Sequence, residues 1–135
     1  MKRKLAVGLA AFAAVLGMNT PAFAAGPGGA EACPSGTICL YYNSPQYGWG
    51  SFENWSPGWV PHLSDHTFRH WGNGSGYGQQ VQDNAASVVN NSGVTWTLCT
   101  RSSVYGPYGA CEQIQPNYSG VLDDFLYNNV ISMHS

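Results

Sequence analysis

Two five-residue stretches concentrate oxygen-bearing side chains in the same order. Asp83-Asn84-Ala85-Ala86-Ser87 and Asn128-Asn129-Val130-Ile131-Ser132 each set two Asx residues ahead of two small or apolar residues and a serine. Calcium selects hard oxygens of this kind, so Asp83, Asn84, Ser87, Asn128, Asn129 and Ser132 are candidate ligands for it. Asp83 is their one carboxylate, which implies weak attraction. The competing reading needs no cofactor: Asx and Ser side chains bond nearby backbone groups and shape turns.

Other residues offer other chemistry. His62, His66 and His70 recur every fourth position, a spacing that would align them for zinc on a helix. Pro57, Gly58 and Pro61 before them and Gly72 and Gly74 after them oppose a helix, so independent loop histidines are expected. Trp55, Trp59 and Trp71 share the same segment; exposed, they could stack on sugars or anchor a protein partner, and buried, they are core. Catalysis has little support. No Gly-x-Ser-x-Gly elbow occurs, and the neighbours Asp123 and Asp124 would point apart on a strand.

The surroundings decide among these readings. Met1-Lys2-Arg3-Lys4, an apolar run from Leu5 to Leu16 and Ala22-Phe23-Ala24 have the order of a secretory signal, expected over residues 1–24. That run is too short to cross a bilayer, which needs about 20 residues. An extracellular protein with a flexible Gly/Ala leader at 25–32 is expected. The exported part keeps only Arg69 and Arg101 against seven acids, a balance of about −5. Nucleic acid and anionic membrane surfaces are therefore excluded as partners, since both recruit clustered Lys and Arg.

Cys33, Cys39, Cys99 and Cys111 all follow the signal, and an even number in an oxidising compartment implies two disulfides. Three connectivities are open; Cys33–Cys39 and Cys99–Cys111 are favoured because each closes a short, turn-rich loop. The 17 Gly, eight Pro and abundant Tyr and Trp favour turns and strands over helices. Strand-like runs occur at residues 37–42, 86–90, 94–100, 110–114 and 129–133, with Val94, Trp96 and Leu98 predicted to share a face. Each half then reads as strand, aromatic-Gly turn, connection, Asx turn and strand, with halves at about 33–93 and 94–135. If Cys39 and Cys99 are equivalent, the first half carries about 15 additional residues within 54–78. The expected fold is all-β: two Greek keys forming one disulfide-stapled sandwich.

With "CPSGTICLYY", "YNSPQYGWG" and the paired Asx-Asx-x-x-Ser motifs in view, residues 33–135 resemble a βγ-crystallin-type domain. Within that group the chain is similar to the secreted actinobacterial proteins of peptidase inhibitor family I36. The family's turn signature is aromatic, four residues, aromatic, any residue, Gly. Tyr42 and Tyr47 match it, but Trp49 holds the glycine position and Gly50 comes one place late. In the second half Thr100 and Pro107 replace the first aromatic and the glycine, while Tyr105 fits. Both Asx motifs lack the family's final serine, having Val88 and Met133 there.

The resemblance implies paired calcium sites built from both halves. It also implies a monomeric, secreted, non-enzymatic inhibitor of extracellular peptidases, metallopeptidases in particular, acting by surface occlusion. The Trp-rich segment suggests a second class, a polysaccharide- or cell-wall-binding module of antimicrobial type. A calcium-stabilised structural protein is the third.

Overall fold

Ile38-Cys39-Leu40-Tyr41 is a run of large side chains in which neither face is polar, and it forms a strand buried throughout. The computed structural model describes residues 31–102, 104 and 106–135. The expected signal, most of the leader and Tyr105 lie outside the described residues. The strands are β1 (Ile38–Tyr41), β2 (Phe52–Trp55), β3 (Trp59–Val60), β4 (Ser87–Asn90), β5 (Trp96–Cys99), β6 (Cys111–Ile114), β7 (Ser119–Val121) and β8 (Ser132–His134). Short 3-10 turns occur at Pro45–Tyr47 and Leu63–Asp65.

Two four-stranded antiparallel sheets result, ordered β2-β1-β4-β7 and β3-β8-β5-β6. The third strand of each half thus completes the sheet of the other half. The two Greek keys are related by an approximate two-fold axis that the hydrogen bonds define. Tyr41 pairs with Ser87 as Cys99 pairs with Ser132. The N–H of Ala86 donates to Tyr41 O, and that of Ile131 donates to Cys99 O. Leu122 N donates to Ala86 O, and Leu63 N to Ile131 O.

This axis corrects the repeat alignment. Cys99 is the counterpart of Tyr41, not of Cys39. From Leu63 to Asp83 the first half runs 20 positions where the second runs six, from Leu122 to Asn128. The surplus folds back as a hairpin over residues 66–81, in which Phe68 N donates to Gln79 O, Gly78 N to Phe68 O and Val81 N to His66 O. Phe68 and Val81 from this insert are fully buried, so it is fastened to the domain rather than draped over it.

Between the sheets lies the main core, with Ile38, Leu40, Val88, Trp96, Leu98, Leu126 and Met133 among its members. The alternate residues of β1, Cys39 and Tyr41, join Cys33, Trp49, Phe52 and Val89 in a smaller cluster on the other face. A strand apolar on both sides is therefore covered on both sides. Trp96 and Leu98 share the core-facing side of β5 as predicted, but Val94 is exposed and lies outside the strand. The strand starts only at Trp96, because Asn90 and Ser92 hold the preceding turn. Asn90 Nδ2 donates to Val94 O (2.8 Å), and Trp96 Nε1 donates to Ser92 Oγ (3.0 Å).

Both predicted disulfides are present: Cys33–Cys39 around the Pro-Ser-Gly turn and Cys99–Cys111 across β5 and β6. Asp123 and Asp124 follow β7 in a turn, not a strand as predicted, because β7 stops at Val121.

Candidate functional site

The two Asx motifs meet at the pseudo-two-fold axis. Asp83 N donates to Val130 O (3.2 Å) and Asn128 N donates to Ala85 O (2.9 Å), so each motif begins by bonding the other. Both residues have positive φ, 62° and 55°. Asx side chains tolerate that left-handed region better than other residues apart from glycine, which accounts for their type here. Asn84 and Asn129 donate through Nδ2 to the carbonyls of Gln80 (2.8 Å) and Phe125 (2.9 Å). Ser87 and Ser132 are buried, and their hydroxyls donate to Asn43 O and Arg101 O, each at 2.6 Å. The repeated residues thus build the repeated turn.

Beside each buried serine a cleft opens between the halves. The first, of about 560 Å³, is lined by Ser44, Pro45, Gln46, Val121, Leu122, Asp124 and Tyr127. The second, of about 330 Å³, is lined by His62, Ser64, Gln82, Arg101, Ser102 and Ile131. They are counterparts: Ser44 stands where Ser102 does, Val121 where His62 does, and Tyr127 where Gln82 does. Their charges differ. The first has Asp124 in its lining, together with Ser44, whose hydroxyl is buried and has no hydrogen-bond partner. The second presents the permanently charged Arg101 guanidinium.

The three histidines lie apart in function. His62 and His66 flank the short 3-10 turn, His66 packs edge-on against Trp55 (5.3 Å), and His70 stacks on Phe52 (4.7 Å). Among the described residues no group of three His, Cys, Asp or Glu side chains is arranged to hold a metal ion. His70 belongs instead to a charged network. Its Nδ1 shares a hydrogen bond with Glu31 (3.0 Å), and its Nε2 lies 3.7 Å from Glu53, a buried carboxylate that also pairs with Arg69. Glu31 also accepts from Gly72 N (3.0 Å), and the His70 hydrogen bond above all holds its carboxyl below the usual range. This network ties the leader's end, β2 and the insert together, and sequence spacing gave no sign of it.

On the opposite side, burial and then the adjacent Asp123 push the Glu112 carboxyl up to about 7. Burial, and then the charges of Glu112 and Asp123, raise the nearby Tyr118 phenol as well.

The tryptophans divide. Trp55 is half-buried, its Nε1 enclosed without a partner, whereas Trp59 and Trp71 are 58% and 60% exposed. Trp71 lies 5.2 Å from Tyr77, itself 52% exposed.

A further exposed feature is the connection from β5 to β6. Cys99–Cys111 closes it with 4.1 Å between Cα atoms, and Thr100 N and Oγ1 bond Ala110 O (3.0 Å) and N (3.1 Å) just above. Arg101, Val104, Gly106, Pro107, Gly109 and Ala110 are exposed along it.

Among solved structures the chain is similar to a βγ-crystallin from Ciona intestinalis, at 16% identity and TM-score 0.52, covering 74% of this chain and 99% of that one. It is also similar to a structure described as "Evolution of the eye lens beta-gamma-crystallin domain fold", at 13% identity and TM-score 0.53, covering 78% and 91%. At such identity these likenesses establish the fold alone. No curated protein sequence gives a significant match. The profile of peptidase inhibitor family I36 matches residues 26–111, from before the first disulfide to the last cysteine of the second. That span covers well over half of the chain, so this protein, a βγ-crystallin-type sandwich, belongs to peptidase inhibitor family I36, a family of inhibitors and not of enzymes.

Proposed function

We propose that this protein inhibits extracellular metallopeptidases by surface occlusion, and that the loop between Cys99 and Cys111 enters the enzyme's cleft. Family membership supplies the inhibitor role, and the resemblance of the sequence supplies the metallopeptidase class. The observation supporting this loop is its clamp: a disulfide and two backbone-level bonds fix its base while its crest is exposed. A loop whose base is already fixed has less freedom to lose on binding. If the enzyme cuts it, the disulfide holds the new ends together. The long first-half connection is a poorer candidate, because Leu63, Phe68 and Val81 anchor it in the core. Export, expected from residues 1–24, would bring the domain to its targets. With purified residues 25–135 at micromolar concentration, a thermolysin-type peptidase is expected to lose most of its activity on a peptide substrate. Full activity at that concentration would remove the proposal for this enzyme class.

Calcium is a secondary reading favoured by one observation, the orphaned Ser44 hydroxyl beside Asp124. If the ion binds, the first cleft would hold it, and calcium would supply only added stability between the halves. Calorimetry with calcium chloride should then show one site of weak affinity per chain, lost in Asp124→Asn and retained in Arg101→Ala. Two equal sites, or none, would contradict this assignment.

A further inference from the structure

The insert that distinguishes the two halves carries an aromatic surface that the fold does not need. The second half passes from Leu122 to Asn128 by a short turn and completes its Greek key without it. In the first half the insert buries Phe68 and Val81 but turns Trp71 and Tyr77 outward, 60% and 52% exposed.

These rings are held in place. A Cβ on Gly74 would meet the Trp71 ring at 2.8 Å, so one face of the indole lies against the turn's own backbone. Tyr77 tilts against it at 54°, with 5.2 Å between centroids. Ser51 Oγ donates to Trp71 O (2.6 Å) and fixes the start of the turn. The neighbouring turn, residues 43–51, is bonded to this one. Asn73 Nδ2 donates to Gly48 O (3.2 Å), Asn43 Nδ2 to Ser75 Oγ (3.0 Å), and Ser51 N to Ser75 O (2.9 Å). That second turn presents Tyr47, 67% exposed.

The chemistry around the rings is uniform. Residues 43–51 and 71–82 contain no Asp, Glu, Lys or Arg, but supply Asn43, Gln46, Asn73, Ser75, Gln79 and Gln80. The adjacent charged groups are paired, Glu31 with Gly72 N and His70 and Arg69 with the buried Glu53. Exposed aromatic rings bordered by neutral amides and hydroxyls match the apolar faces and hydroxyl edges of sugar rings. An anionic polymer would find no cation within these two turns, and the Arg69 guanidinium just before them is already paired with Glu53; an apolar protein face would leave the amides unpaired.

We propose that Trp71, Tyr77 and Tyr47 form a binding platform for an uncharged polysaccharide, distinct from the Cys99–Cys111 loop. The probes are insoluble chitin, insoluble β-1,3-glucan and, as an anionic control, heparin–agarose. Wild-type domain should be retained on at least one neutral polymer and not on heparin. Trp71→Ala should lower retention at least tenfold while leaving the unfolding midpoint nearly unchanged, since the ring is largely exposed. Trp59→Ala, equally exposed on β3 but outside the platform, should bind as wild type does. Failure of the wild type to bind either neutral polymer overturns the proposal, as does equal loss in both variants. Thermolysin-type inhibition by Trp71→Ala separates the two functions: it should persist, and its loss with retention intact would assign the platform to the peptidase.

Discussion

Replacing Gly76 with alanine is expected to cost about 2–5 kcal/mol, a large part of the roughly 5–15 kcal/mol that holds a domain of this size. Two effects combine. The residue has φ of +81°, where an L side chain is strained by about 1–2 kcal/mol. The new Cβ would also stand 2.1 Å from Cγ of Tyr42, inside the ring's own envelope. Tyr42 cannot retreat freely, because it packs edge-on against the buried Phe68 at 5.7 Å. Gly78 separates the two effects: its φ is +84° and nothing lies within 4 Å of its missing Cβ. Gly78→Ala should therefore lose only the backbone component, about 1–2 kcal/mol. Urea denaturation of both variants checks this. Equal losses would mean that Tyr42 does not confine the turn.

The second large effect concerns the clamp. Cys99→Ser/Cys111→Ser removes a cross-link spanning 12 positions and should cost about 3 kcal/mol of stability. It should also weaken peptidase inhibition by about tenfold or more, because a freed loop must be ordered at the moment of binding. Cys33→Ser/Cys39→Ser is the comparison. It closes a loop of six positions on the side of β1 that carries Tyr41 and packs against Trp49. Its loss should lower the melting temperature while the purified folded domain inhibits as before. Inhibition constants measured below both melting transitions decide the matter. Equal weakening in both pairs would take the contact away from the Cys99–Cys111 loop.

Much of this architecture could be read from residue order, and the failures have physical causes. Ile38–Tyr41, Ser87–Asn90 and Trp96–Cys99 were legible because continuous or alternating apolar runs mark strands with a buried face. The disulfides were legible from loop length. β2 was not, since Glu53 and Asn54 break its pattern. Glu53 sits inside only because Arg69 and His70, far along the chain, compensate it. β3 has two residues between Gly58 and Pro61, and β7 contains Gly120, so neither carries a periodic signal. Both are strands because the other half's sheet has an edge to receive them. The repeat was misaligned by two positions because cysteine is conspicuous in sequence, whereas equivalence is defined by backbone pairing. At the candidate sites, the Asx motifs announced their shared turn. The difference between their clefts depends on Asp124 and Arg101, which lie outside both motifs. Exposed Trp71 and half-buried Trp55 look alike until the insert's path is known.

The crossing of β3 and β7 sets the order in which the molecule can become itself. Val60 finds its partner Met133 some 73 positions later, and β7 fills an edge beside residues 87–89 that the first half leaves open. A growing chain that has reached Asn90 holds three paired strands, one bare edge and a fourth strand with no sheet to join. Neither half is a folding unit, and the decisive contacts are among the most remote in the sequence. Closing such loops delays the entropy's return, so acquisition of the native state belongs to the slow, millisecond-to-second regime of non-local β topologies. The same interlock means that the molecule, once formed, opens as a whole.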